Sequence, residues 1–197
     1  MILICVTQLP RLPTAAQPVE AALSLGFLFL SVRRKSLQDL LDVKKMADQR
    51  SQGFVAVGRT TYLYYSTFAA THSEARVKCR ELDAHLVEFR NKYEWSEVIS
   101  YSKMRKEDVF SSIDIFQITA AVPLSRYWIG LSDKHLEGTF QWTNSGTMLS
   151  PEVATYWSSN EPNNHNGAED CVEVWNNHMN DQNCGERLNF VCMYRTQ

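Results

Sequence analysis

Four of the chain's five cysteines, Cys79, Cys171, Cys184 and Cys192, lie in its later part, and no two are spaced as CxxC. A structural zinc site uses such close pairs. An even set without them reads as a disulfide framework, and so as a domain that folds in an oxidising compartment. Four buried free thiols are the alternative, because free cysteine is a common core residue. Four cysteines allow three pairings, and spacing does not choose among them. Cys5 stands apart near the start.

Formal net charge is −2, and no basic block exceeds Arg33-Arg34-Lys35. A nucleic-acid protein would show a basic stripe, so no nucleic-acid partner is expected. No phosphate-cradling glycine loop appears, and neither HExxH nor GxSxG is present.

The apolar run Ala21–Val32 fits the core of a signal peptide and is too short for a membrane span. Its flanks depart from that pattern. Glu20 precedes it, and Arg33-Arg34-Lys35 follows where small residues should mark cleavage. Those charges also lie on the wrong side for an anchor with the main domain outside. The expectation is a secreted protein, with anchoring by residues 21–32 as the alternative. From Ser36 to Arg50, Leu37, Leu40, Leu41 and Lys44 follow a helical repeat. The stripe covers only about two turns, so it reads as a solvated linker or a short neck through which copies could pair. Ser51-Gln52-Gly53 breaks it. The chain therefore divides into an N-terminal segment, 1–53, and a compact domain, 54–197.

In that domain FVAVGRTTYLYY reads as strand, turn, strand. THSEARVKCRELDAHL reads as a helix, with a capping box formed by Thr71 and Glu74. Ala75, Cys79 and Leu82 share one face of it, which turns Cys79 inward. NKYEWSEVISYSKM repeats the device, with Asn91 as cap, Glu94 closing the box, and Trp95, Val98 and Ile99 as the stripe. Residues 105–126 show no clear period and read as a long loop with room for one strand. YWIGL, GTFQWT, ATYW, CVEVW and LNFVCMY read as strands. The whole is an α+β domain. Pro151–Asp170 has little apolar material and must run over the surface.

That surface stretch contains EPNNHNGAEDC, Glu161–Cys171. Carboxylates and amide oxygens are hard ligands, and calcium takes about six to eight of them. Glu161, Asn163, Glu169 and Asp170 supply such oxygens, as do Asn180 and Asp181 near Cys184. An isolated E-P-N tripeptide would be read as an ordinary polar turn, since Asn and Asp dominate turns.

Taken in order, Cys79, Trp128-Ile129-Gly130-Leu131, GTFQW, Trp157, Glu161-Pro162-Asn163, Cys171, Asn180-Asp181, Cys184 and Cys192 give residues 54–197 a pattern that resembles a C-type lectin carbohydrate-recognition domain. The resemblance implies the C-type lectin fold, with two helices packed on short antiparallel sheets and a long calcium-binding surface loop. It implies the bridges Cys79–Cys192 and Cys171–Cys184, and a cis peptide before Pro162. It implies Ca2+ as cofactor, held by Glu161, Asn163, Glu169, Asn180 and Asp181, which would also hold the sugar. The order Glu-Pro-Asn implies mannose-type glycans, including fucose and N-acetylglucosamine, and a role in innate recognition or adhesion. A second, structural calcium is implied at Asp133, Glu137, Asn164, Glu169 and Asp170, with Asn164 where many members have Asp. His165 sits among these residues, either to pack on a bound sugar or as an ordinary exposed loop histidine.

Three departures stand out. Met179 occupies the usual Trp position, the Cys171–Asn180 loop is one residue short, and residues 105–126 are longer than usual. Two other readings compete. An enzyme would need a free carboxylate pair, which calcium ligation would occupy, so no catalysis is expected. A protein- or mineral-binding module on the same fold is the second, because fold does not imply function.

Overall fold

A computed structural model of the chain describes residues 40–41, 43–45, 47–57, 60–103 and 124–196. The apolar run at 21–32, Cys5, Leu37 and residues 105–123 lie outside the described residues. Residues 40–41, 43–45 and 47–51 are helical, and Leu40 and Leu41 are exposed. Among the described residues no helix is long and apolar enough to cross a membrane. One compact unit runs from Met46 to Gln197.

Strands β1 (Val55–Val57) and β2 (Thr61–Tyr65) form the expected hairpin, with Val55 opposite Leu63. Helix α1 spans His72–Glu81 and begins with the full capping box. Glu74 N donates to Thr71 Oγ1, and Thr71 N donates to Glu74 Oε2. It ends earlier than its sequence suggested. Asp83 adopts φ 53° and Ala84 N donates to Cys79 O, so His85–Leu86 becomes a short strand, β3. Helix α2 spans Lys92–Lys103, and Asn91 Oδ1 accepts from Tyr93 N and Glu94 N. Its box does not close as read. Glu94 Oε2 accepts from Arg90 N, one residue before the cap, and the same carboxylate also pairs with Arg195.

Strands β4 (Arg126–Ser132), β5 (Gln141–Trp142), β6 (Cys171–Trp175) and β8 (Asn189–Arg195) fall on segments read as strands. ATYW does not form a strand. Ser150 caps a short helix α3, Pro151–Ala154, which consumes its start, and only Trp157 makes an isolated bridge, to Met179. Conversely, His178–Gln182 is a strand, β7, that polar residues concealed. It pairs with β6 through a two-residue turn, Asn176-Asn177, with φ of 48° and 68°. Two positive φ values match the strand twist in such hairpins, and Asn tolerates them. The tight turn accounts for the short loop.

The strands form an eight-stranded sheet in the order β1-β2-β8-β4-β6-β7, with β3 on β8 and β5 on β4. Its pairs are antiparallel except β4–β8. Gly130 lies where β4 crosses Leu86–Glu88, and an added Cβ would stand 3.0 Å from Leu86 O. That approach explains the glycine in WIGL. One core cluster gathers Ile129, Leu131, Trp95, Val98, Met179 and Val191, and Met179 is wholly buried there. A second gathers Ala75, Trp128, Phe190 and the sulfurs of Cys79, Cys171 and Cys192. The structure bonds Cys79 to Cys192 and Cys171 to Cys184. The longer loop is the more constraining, at about 4–5 kcal/mol against about 3 in the chain-entropy model.

His72, at the start of α1, is 4% exposed. Its Nε2 lies 3.0 Å from Ile129 O, and its ring meets Trp128 edge-on. Burial, with some help from Arg76 and Lys134, pushes its pKa down to about 4. The unfolded chain therefore binds a proton near pH 6.5 that the folded chain refuses. Stability from this site is full above pH 6.5 and is lost as pH falls toward 4. With calcium chelated, the native protein should lose about 2–3 kcal/mol more between pH 7 and pH 4 than a His72→Gln variant. Equal losses in urea unfolding would contradict this account.

Candidate functional site

The polar stretch gets its shape from its asparagines. Asn160, Asn164 and Asn166 all adopt positive φ, at 70°, 42° and 57°. Asn and Asp reach this region more readily than other non-glycine residues because their short side chains bond locally. Several asparagines there thus serve the backbone, a use that sequence reasoning about oxygen ligands overlooked. The loop's entry is tied to β7. Ser158 N donates to Met179 O and Met179 N donates to Tyr156 O. The Glu161–Pro162 peptide is cis.

Asp181, on β7, clamps the loop from beneath. It is 1% exposed. Its Oδ1 accepts from Asn163 N at 3.1 Å and its Oδ2 from Asn164 N at 2.7 Å. Asn163 Nδ2 donates to Glu161 Oε1 at 2.8 Å. Glu161 Oε2 is buried without a hydrogen-bond partner. Burial, then the neighbouring Asp181, raises the Glu161 pKa to about 7. The loop's far side closes on itself, since Glu169 N donates to Asn164 Oδ1 and His165 N to Glu169 Oε2. The His165 imidazole is exposed.

Asp133 makes a second focus of negative charge. It is 3% exposed, its Oδ2 accepts from Gly138 N, and its Oδ1 is buried and unpartnered. Its backbone N–H donates to Asp170 O. Burial raises its pKa, and the charges of Glu137 and Asp170 add to the effect. Glu137 itself is exposed.

Asn180 rests on residues that the sequence did not single out. Glu173, across the β6–β7 pair, is fully buried. Arg126 of β4 grips it with Nε at 2.8 Å and Nη2 at 2.7 Å, and the Arg126 guanidinium lies over Trp175. Its Oε1 also accepts from Asn180 Nδ2 at 3.1 Å. A carboxylate held by arginine only accepts, so it must face the amide nitrogen. Asn180 Nδ2 also donates to Asp181 O at 2.8 Å. Both amide hydrogens are thus engaged, and Oδ1 is left to act as acceptor. The alternating apolar residues of CVEVW hid Glu173, whose partner lies 47 residues away in sequence.

A divalent cation fits this chemistry. Two buried carboxylate oxygens, on Glu161 and Asp133, lack partners, and like charges crowd both. An unpaired buried charge is costly, and a bound cation relieves the cost. Among the described residues no group of three His, Cys, Asp or Glu side chains could hold an ion alone. Any ion here needs amide or carbonyl oxygens as well, which suits calcium rather than zinc.

Residues 69–194 match the family model described as the Lectin C-type domain. The CD209 antigen of Symphalangus syndactylus is 46% identical over 65 residues, 33% of this chain and 16% of that protein. Perlucin of Haliotis laevigata is 31% identical over 144 residues, 71% of this chain and 79% of perlucin. The solved trimeric structure of the Kupffer cell C-type lectin receptor Clec4f superposes with a TM-score of 0.63 at 25% identity, covering 82% of this chain and 95% of that one. The matched stretch is thus well under a fifth of the CD209 antigen's length.

Replacing Glu173 by Gln keeps its shape and removes the charge that fixes Asn180. Groups that orient a metal ligand from behind are worth about 10–100-fold in metal affinity. A Glu173→Gln protein that is folded and fully oxidised should bind calcium about tenfold or more weakly by titration calorimetry. Unchanged affinity would show that Asn180 needs no such support.

Proposed function

The chain belongs to the C-type lectin domain family, whose members bind rather than catalyse. On that premise we propose that it is a calcium-dependent receptor for mannose-type glycans. The observation that carries the proposal is the Glu161–Asn163–Asp181 cluster, with its buried, unpartnered carboxylate oxygen. Glu161, Asn163, Glu169, Asn180 and Asp181 would hold the principal ion. Asp133, Glu137, Asn164, Glu169 and Asp170 would hold a structural one, close to Lys134 and Cys171. When bound, calcium accepts more than six oxygens, so two vicinal sugar hydroxyls can complete its shell.

The chain's own part is to match donors to acceptors. Glu161 and Glu169 accept hydrogen bonds from the sugar hydroxyls. Asn163 Nδ2 gives one hydrogen to Glu161 and has a second for a hydroxyl oxygen. Asn180 has spent both of its hydrogens and lends only oxygen. Discrimination among hydroxyl geometries therefore rests on the Glu161–Asn163 pair more than on Asn180. A single sugar offers little buried area, so affinity per site is weak. Several copies together would strengthen binding to a glycan-coated surface. The helical stretch before the domain exposes Leu40, Leu41 and Val43, which would suit pairing between copies. Two disulfides fit an extracellular location.

The test is retention of the oxidised protein on mannose-agarose in calcium. Chelator should release it. So should pH 4, because protonated carboxylates cannot hold the ion. The double variant Glu161→Gln, Asn163→Asp reverses the order of acceptor and donor, and should lose mannose while keeping its fold. Retention that survives chelator would point instead to a protein- or mineral-binding module.

A further inference from the structure

A cleft of about 270 Å³ opens between the first turns of α1 and the loop that follows β4. The Cys171–Cys184 disulfide lines it, and Arg76, Lys134, His135 and Gln141 surround it. None of its twelve lining residues is acidic, although the chain as a whole carries a net charge of −2. Its basic side chains also lack acidic partners among the described residues. Lys134 and His135 are exposed and make no ion pair among the described residues. Arg76 is half-buried, and among the described residues its side chain makes one hydrogen bond, a long one of 3.4 Å from Nη2 to Thr143 O. By contrast Lys78, two residues further along the helix, is paired with Glu81, and Arg90, Arg126, Arg187 and Arg195 all have carboxylate partners. Arg76 and Lys134 both bear electrostatically on His72, which also lines the cleft. The two charges therefore converge on one place.

We propose that this cleft is an anion subsite for a tetrahedral oxyanion, a sulfate or phosphate group, free or carried on a saccharide. The guanidinium fork of Arg76 matches two oxygens of such a group, and Lys134 supplies a point charge. The volume lies just under the roughly 300–1,000 Å³ of small-molecule pockets, which suits one charged substituent and its ring rather than an oligosaccharide. Lys134 follows Asp133 and Cys171 follows Asp170, and Asp133 N is bonded to Asp170 O. The cleft thus borders the Asp133–Asp170 junction, to which it contributes Lys134 and the Cys171 disulfide. A charged glycan on the sugar loop and one in the cleft would occupy neighbouring surfaces, but the cleft itself needs no calcium.

The test follows backbone amide shifts of Ser73, Lys134 and His135 by NMR in the oxidised full chain, with chelator present throughout. The probes are inorganic sulfate, inorganic phosphate, N-acetylglucosamine 6-sulfate and unsulfated N-acetylglucosamine. The charged probes should shift these amides with millimolar affinity, and the neutral sugar should not. Lys134→Gln alone should weaken binding several-fold, and Arg76→Gln with Lys134→Gln at least tenfold. Lys92→Gln, which changes the net charge equally at a distant exposed site, should have no effect. Tighter binding of the sulfated sugar than of either free ion would identify a saccharide ligand, and equal binding a free ion. Absent shifts, undiminished affinity in Lys134→Gln, or equal weakening by Lys92→Gln would overturn the proposal. Since calcium is excluded, failure of the mannose reading leaves this result unaffected.

Discussion

Strand β8 is the member on which the other elements depend. It pairs with β2 and β3, runs parallel to β4, and carries Cys192, which is bonded to Cys79 of α1. Strand β8 is thereby inserted between β2 and β4, which precede it by many residues. A strand in that position can form only after the segments on both sides exist, so most of its contacts are long-range. The Cys79–Cys192 link encloses 113 residues of separation, and restricts the unfolded chain where loop closure is most expensive. The core then closes around β8, with Phe190, Val191, Cys192 and Met193 all buried.

The candidate sugar loop depends on this framework because it has little core of its own. Between Asn160 and Asp170 no large apolar side chain is buried. The loop is held instead by polar clamps rooted in the sheet. Asp181 takes two of its amides, and Met179 fastens its entry by two backbone bonds. Behind them the Arg126–Glu173 pair is buried at the carboxylate end and half-buried at the guanidinium end. Buried ion pairs are weak evidence for stability, since desolvation offsets most of the attraction. Their value here is orientation, because a charged Glu173 leaves Asn180 one acceptable arrangement.

Much of the local architecture was legible in the residues. Thr71 and Glu74 announced the start of α1, alternation located β5, and short apolar-rich runs located β4, β6 and β8. The misreadings share a cause. ATYW has the composition of a strand, yet Ser150 and Pro151 start a helical turn that reaches Ala154. NNHMNDQ has the composition of a loop, yet the Asn176-Asn177 turn folds it onto β6. In both places a neighbouring cap or turn overrode the propensity of the segment itself. Glu94 differs from them, since its carboxylate bonds the backbone one residue before the cap and also pairs with the distant Arg195.

The sequence alone determined the chemistry available: which oxygens, cations and sulfurs exist, and which short segments cap, turn or alternate. Those properties are local, set by backbone preference and by neighbours within a few residues. Only the tertiary structure decided which way the Asn180 amide faces, which carboxylate oxygens are stranded, and that Arg76 and Lys134 face one cleft. Each depends on register between strands or on packing between segments tens of residues apart. Register is fixed by the summed burial of whole strands, and no single stretch of sequence carries that sum.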